Sequence, residues 1–350
     1  MITIDGAQYS GSGTILRYAL ALATLLREPL TVKNIRARRP KPGLRPQHLA
    51  ATLACARISH GRVEGAEVGS TEIRYEPGAT VLPGEYPFDV GSAGSTTLLA
   101  FSLCIPAMFA DRPTKFLLTG GLFQDFAPSS FHMRRCLLPL LERMGLKILM
   151  TVIRPGYAPR GQGQVEVTVH PIRSALKPLT LVEQGRVTEV RGISLASHLI
   201  DQKVSARMAA ACRSTLERRG LSVTIETLDD FTAVQKGAAL CIWAESDTGA
   251  VLGSDMAGAT RRPSEKIARS VAIRFLEDID SGATVDRHLA DQLIIFGALA
   301  RGATTYTIPH VTEHVESNLW LVGEILGARA EIARNVLTIH GVGLEPFALP

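Results

Sequence analysis

Apolar and polar positions along the chain fall into one pattern that occurs three times. Each copy is an apolar stretch of helical length, a short strand, a loop, an amphipathic helix stopped by glycine, and another strand. The first copy has a helix over 15–26, a strand over 30–35 and a helix over 47–59 stopped near Gly61. The second has a helix over 95–110, a strand over 115–119 and a helix over 131–144 stopped by Gly145. The third has a helix over 288–300, a strand over 304–308 and a helix over 316–326 stopped by Gly327. Glycine is the expected stop because it accepts the left-handed conformation.

The stops are unevenly spaced. Gly61 and Gly145 are 84 residues apart, Gly145 and Gly327 are 182 apart, and the excess of 98 is enough for a small inserted domain. Element spacing places it at about 183–283, where strand-like runs at 221–227 and 239–244 precede a helix over 264–279. The expected architecture is α+β: three two-helix, multi-stranded units plus an α/β insert.

Composition narrows the class. Of 350 residues, 46% are hydrophobic and 20% charged, which excludes global disorder. Aromatics are only 5%, so aliphatic residues must do most of the packing. The longest nearly apolar run, 98–110, has 13 residues and is too short to span a bilayer. Without a basic start followed by an apolar stretch, no secretory signal is expected. Cys55, Cys104, Cys136, Cys212 and Cys241 form no CxxC pair, so buried free thiols in a reducing cytoplasm are expected. No membrane or obligate protein partner is indicated.

The net charge of +5 matters only where it clusters. Five of the ten residues from 36 to 45 are basic (Arg36, Arg38, Arg39, Lys41, Arg45), in a loop whose prolines forbid regular helix. Such a loop suits nucleic-acid phosphates, and also suits a merely solvated surface. Gly/Ser-rich turns at 6–17 and 90–97 each open a helix, where unpaired N–H groups can hold an anion or simply permit close packing. His314 lies just ahead of the last helix's apolar stripe and could be a nucleophile, a base, a ligand or a surface residue. His310 and His314 lack companions at zinc spacing. Asp291 could cap a helix or hold magnesium on nucleotide phosphates.

Taken in order, several pieces resemble RNA 3'-terminal phosphate cyclases over essentially the whole length. They are Asp5-Gly-Ala-Gln8, Ile15-Leu-Arg17, Ile35-Arg36 with Lys41-Pro-Gly-Leu44, and Gln47-His-Leu49. Further on come Gly91-Ser-Ala-Gly-Ser95, a signature around 156–165, Ala290-Asp-Gln-Leu293 and His314-x-x-Ser-Asn318. The resemblance implies a large domain (1–182 plus 284–350) of three units, each with two helices and a four-stranded sheet, and a smaller thioredoxin-like insert (183–283). It implies ATP and Mg2+ or Mn2+ as cofactors, an RNA 3' end as partner, and three steps. A histidine takes AMP from ATP, the AMP passes to the RNA 3'-phosphate, and the 2'-OH displaces it to close a 2',3'-cyclic phosphate.

Carried over residue by residue, the resemblance makes His314 the nucleophile and places Arg17, Arg36, Arg39 and Gln47 around the phosphates. Pro128 and His288 flank adenine, with Asp291 and Gln292 also on the nucleotide and Asp291 on the metal. Arg38, Lys41 and His48 contact RNA phosphate. Four departures stand out: Ser10 where the family has glutamate, Phe101 where it has glutamine, Leu122-Phe123 where Thr-Asn or Thr-Asp is usual, and Gln162 inside a glycine run. His288 also replaces what is often an aromatic. Two other readings are a non-catalytic RNA-binding cyclase relative in ribosome assembly, kept open by Ser10 and Phe101, and an enolpyruvyl transferase. Members of the latter are built from six such units rather than three.

Overall fold

The computed structural model describes residues 1–346. The first unit comprises β1 (Ile2–Asp5), α1 (Gly13–Leu26), β2 (Leu30–Lys33), α2 (Pro46–Ser59), β3 (Arg62–Glu64) and β4 (Ile73–Glu76). Its sheet runs β1-β2-β4-β3, parallel only between β1 and β2. The second unit repeats this with β5 (Glu85–Asp89), α3 (Thr96–Ala107), β6 (Thr114–Gly120), a helical segment at 130–143, β7 (Ile148–Arg154) and β8 (Gly163–Val169). That segment is α4 (Ser130–His132), a π-helical turn (Met133–Leu137) and α5 (Leu138–Arg143), and the sheet order is β5-β6-β8-β7.

A third copy opens with β9 (Thr180–Leu181) and is then interrupted. The intervening chain forms β10 (Glu189–Ser197), α6 (Val204–Glu217), β11 (Ser222–Asp230), β12 (Gly237–Glu245), β13 (Val251–Ala257) and α7 (Ser264–Asp280). The third unit resumes with α8 (Leu289–Leu299), β14 (Arg301–Thr307), α9 (Glu313–Leu326), β15 (Arg329–Ala333) and β16 (Val336–Val342), ordered β9-β14-β16-β15. The excess residues therefore fall between the first strand and first helix of the third copy, not ahead of it. A two-residue strand carries no periodicity by which to read it.

Alternation along the fourth sheet, β11-β10-β12-β13, divides it between two cores. Leu240, Ile242 and Leu252 pack with α6 and α7, which lie together on one face. Ile193, Leu195, Ala239 and Cys241 join the core of the three units on the other. There α4 and the π turn cover the sheet.

The first helix of each unit is predominantly apolar and accordingly buried along most of its length. All five cysteines are free and buried. Among the described residues no helix is long and apolar enough to cross a membrane.

Gly145 and Gly327 take positive φ as expected of stops, but Gly61 does not. His60 adopts the left-handed cap there, at φ 54°. Gly61 is needed instead for close approach, since a Cβ would lie 2.5 Å from the Glu76 carbonyl oxygen and 2.9 Å from the Pro77 Cα. Gly61→Ala is expected to cost ~1–3 kcal/mol through backbone displacement, read as a lower urea midpoint at unchanged slope.

Candidate active site

The repeated order strand–helix–strand–helix brings helix starts together. The N-terminal turns of α1, α2, α3, α8 and α9 all line one cavity of about 490 Å³. Ser12, Ser95 and Thr312 cap α1, α3 and α9 with side-chain oxygens. Convergent helix starts, each with the positive end of its dipole inward, favour an anionic ligand before any side-chain charge is counted.

Side chains reinforce that preference. Arg17, Arg36 and Arg39 line the cavity, and none takes part in an ion pair among the described residues. Arg17 is buried in the first turns of α1, where Nη2 donates to Thr14 Oγ1 at 3.3 Å. Burial brings its pKa down to about 10. Arg36 sits at φ 55°, its Nη1 donating to the carbonyls of Lys41 and Gly43. Burial, then the nearby Arg45 and Arg39, lower its pKa. A crowd of guanidiniums facing a single carboxylate is a site for a polyanion.

His314, in the first turn of α9, faces this cluster across the cavity. Burial, followed by the charges of Arg17 and Arg39, lowers its pKa and keeps the ring neutral. Its Nδ1 is buried and accepts no hydrogen bond among the described residues. A neutral imidazole beside unpaired arginines is an arrangement able to attack an electrophile that the arginines anchor. Gln47 bridges two units, its Oε1 accepting from the Ser95 N–H at 3.1 Å.

Asp291 is the one carboxylate among the residues lining the cavity. Burial, and after it the neighbouring Asp286, raises its pKa to about 7, against Arg17 and Asn318, which favour the charged form. Asn318 Nδ2 donates to the Asp291 carbonyl at 3.0 Å and Tyr18 Oη donates to the same oxygen, also at 3.0 Å. Next to it, Gln292 Oε1 is buried without a partner among the described residues. Pro128 and His288 line the same cavity.

Two of the expected phosphate ligands stand elsewhere. Arg38 is turned onto the glycine loop, donating to the Tyr9 carbonyl, and Lys41 is exposed; neither lines the cavity. His48 does line it, but not as a cation. Burial, then Arg17 and Arg36, drive its pKa down to about 2, and Nδ1 accepts from the Arg45 N–H at 3.3 Å. Since unfolding frees this ring to protonate below its ordinary value of 6.5, the folded state loses stability as pH falls through that value. Each pH unit lower costs about 1.4 kcal/mol. Wild type should therefore lose about 2 kcal/mol relative to His48→Asn between pH 6.5 and pH 5, measured by urea unfolding.

The departures have local structural accounts. Ser10 closes a hydroxyl cluster, accepting from Ser317 Oγ at 2.7 Å and donating to Ser12 Oγ at 3.0 Å, so no second carboxylate enters from this side. Phe101 stacks on Tyr18 at 5.5 Å and meets Phe296 edge-on at 5.6 Å. Gln162 holds φ 57°, a conformation glycine would take freely.

Phe126, Arg287 and Thr312 also stand on the cavity wall without having been singled out in the sequence, as does His310, weighed there only as a zinc ligand. Nor was His132 singled out. That ring and Asp286 form a fully buried pair at 2.9 Å. With Cys136, their ligand atoms fall within 4.8 Å of one another. Both Asp286 oxygens are already engaged, however, by His132 and the N–H groups of Gly253, His288 and Leu289. The pair ties α4, β13 and the start of α8 together. Adjacency of Arg287 to His288 was a usable signal; nothing local marked His132.

Comparison with known proteins gives the family. The profile of the RNA 3'-terminal phosphate cyclase family matches residues 8–332, and the chain belongs to that family. Similar relatives include the RNA 3'-terminal phosphate cyclases of Caldivirga maquilingensis and Archaeoglobus fulgidus. The first is 39% identical, covering 100% of this chain and 99% of the relative, and the second 36% identical, covering 97% and 100%. Among solved structures, the enolpyruvyl transferase NikO from Streptomyces tendae aligns at 15% identity and a TM-score of 0.27, over 97% of this chain and 51% of that one. That likeness carries no argument.

Proposed function

We propose that the chain converts an RNA 3'-terminal phosphate to a 2',3'-cyclic phosphate at the expense of ATP, by way of a covalent histidine–AMP. The observation that carries this reading is His314, its pKa lowered by burial and by Arg17 and Arg39, lining one cavity with guanidiniums that form no ion pair among the described residues.

In the first step a ring nitrogen of His314 attacks the α-phosphorus of ATP. A nitrogen–phosphorus bond forms, the bond to the bridging oxygen breaks, and pyrophosphate leaves into the arginine cluster. An oxygen of the RNA 3'-phosphate then displaces the imidazole, giving RNA(3')pp(5')A. Finally the 2'-OH loses its proton to solvent, attacks the 3' phosphorus and expels AMP. The tethered hydroxyl needs no further help with encounter. Covalent relay splits a hard displacement into easier ones, and Arg17, Arg36 and Arg39 hold charge as it moves.

Asp291 and the unpartnered oxygen of Gln292 fit a hard divalent cation, which commonly takes one or two carboxylates plus substrate phosphates. Mg2+ or Mn2+ bound there would neutralise phosphate charge. Pro128 and His288 offer flat faces to adenine. We also read 1–182 plus 284–350 as one large domain and 183–283 as a small inserted domain of thioredoxin-like form, from the strand order of its sheet.

Mass spectrometry of a 3'-phosphorylated oligonucleotide tests the reading. With ATP and magnesium the product should be lighter by one water, while an unchanged mass across divalent metals would overturn it.

A further inference from the structure

Beside the catalytic cavity lies a second one, about 520 Å³, lined by the loop at 157–158, the starts of α6 and α7, and the loop that follows β13. It has no role in the reaction above. Four cations line it, but they are not equivalent. Arg207 is neutralised by Glu265 and Arg262 by Asp125. Lys236 and Arg261 form no ion pair among the described residues, and no acidic side chain lines the cleft. Arg261 holds φ 64°, a costly conformation for a long side chain.

An ion pair links the linings of the two cavities. Asp125 and Arg262 make two parallel bonds of 2.9 Å, and Arg262 Nη1 also donates to the Ala257 carbonyl at 2.7 Å. That clamp fixes the loop carrying Phe126, Ala127 and Pro128 on the catalytic side to the loop carrying Arg261 on the other. Next to the clamp, Phe126 stands at φ 68° and is fully exposed (104%). A solvated aromatic ring held at a strained position on the rim between two cationic cavities is not explained by packing.

We infer that this ridge and cleft form the track for the RNA strand leading to the 3' end: Phe126 stacks on a base upstream of the terminal nucleotide, and Lys236 and Arg261 take phosphates beyond it. Stacking on an aromatic face and cations along a groove are the two means by which proteins hold single strands without reading sequence. The inference rests on the reading of the catalytic cavity as the site for an RNA 3'-phosphate. It adds that the chain recognises an unpaired strand several nucleotides long, not the terminus alone.

The test compares 5'-fluorescein RNAs ending in 3'-phosphate, one of three nucleotides and one of twelve, by anisotropy at stepped salt and by cyclisation. Wild type is expected to bind the longer RNA at least ~10-fold more tightly. In Lys236→Ala combined with Arg261→Gly, where glycine accepts the positive φ, most of that advantage should vanish. The dependence of log affinity on log salt should fall by about 1.4 for the two lost phosphate contacts. Phe126→Ala should weaken binding of the twelve-mer ~5- to 50-fold, with Phe126→Trp restoring it. If the double variant keeps the full length advantage and salt slope while wild type cyclises the trimer, the track is overturned and the catalytic reading stands. If wild type cyclises neither RNA, the catalytic reading falls and the track with it.

Discussion

His314→Asn is expected to leave no covalent adenylate on the protein and to cut cyclisation by roughly 10⁴-fold or more, the scale of losing a nucleophile that acts in a covalent relay. The expectation follows from the ring's surroundings. Burial and two arginines hold it neutral, so an attacking lone pair is available at pH 7 without a separate base. The same arginines line the cavity, where on the proposed reading they would receive the departing pyrophosphate. Asparagine keeps a polar group of similar reach, so ATP binding should change by no more than about 3-fold, since it depends on guanidiniums the substitution does not touch. His310 provides an internal comparison. It lines the same cavity, and His310→Asn should retain the adduct. Incubation with ATP labelled at the α-phosphate, followed by denaturing electrophoresis, reads both variants. Label that persists in His314→Asn, or disappears in His310→Asn alone, would move the nucleophile. Salt-sensitive RNA binding by wild type without any label would favour the non-catalytic relative.

Much of this site could be read from the chain because its residues announce helix starts. Glycine and serine before α1, serine before α3 and threonine before α9 are cap signals, and the candidates follow each within a turn or so. The repeat then tells that equivalent starts recur. What the periodicity could not supply was the opening strand of each unit. Strands β1 and β5 are short and only partly buried, and β9 pairs through two residues, so the position of the interruption inside the third unit is invisible locally. Long-range polar contacts were equally hidden. His132 and Asp286 are 154 residues apart, and their bond exists only because the second unit, the fourth sheet and α8 meet. Nor does a basic run show that the Arg38 guanidinium braces the glycine loop, or that burial makes His48 neutral. A basic run shows that a loop is cationic; which of its side chains face the ligand depends on backbone conformation, as the positive φ of Arg36 illustrates.

Arg17→Met should separate function from stability in opposite directions. The guanidinium is buried at α1, its only side-chain partner among the described residues is a threonine hydroxyl, and burial has already lowered its pKa to about 10. A buried charge that makes no ion pair among the described residues, and whose burial the field of Asp291 offsets only in part, is a cost to the ligand-free fold, and an unbranched apolar side chain of similar length removes it. Free of ligand, Arg17→Met is therefore expected to be as stable as wild type or more so by ~1–2 kcal/mol, seen as an equal or higher Tm. Catalysis should fall by roughly 10²–10³-fold, because the charge in the path of the leaving pyrophosphate is gone. Pyrophosphate itself should raise the Tm of wild type but scarcely that of the variant, since a ligand stabilises only the state that binds it. A variant that melts well below wild type yet turns over normally would show that Arg17 is a structural residue, and the anionic character of the cavity would then have to rest on Arg36, Arg39 and the helix starts alone.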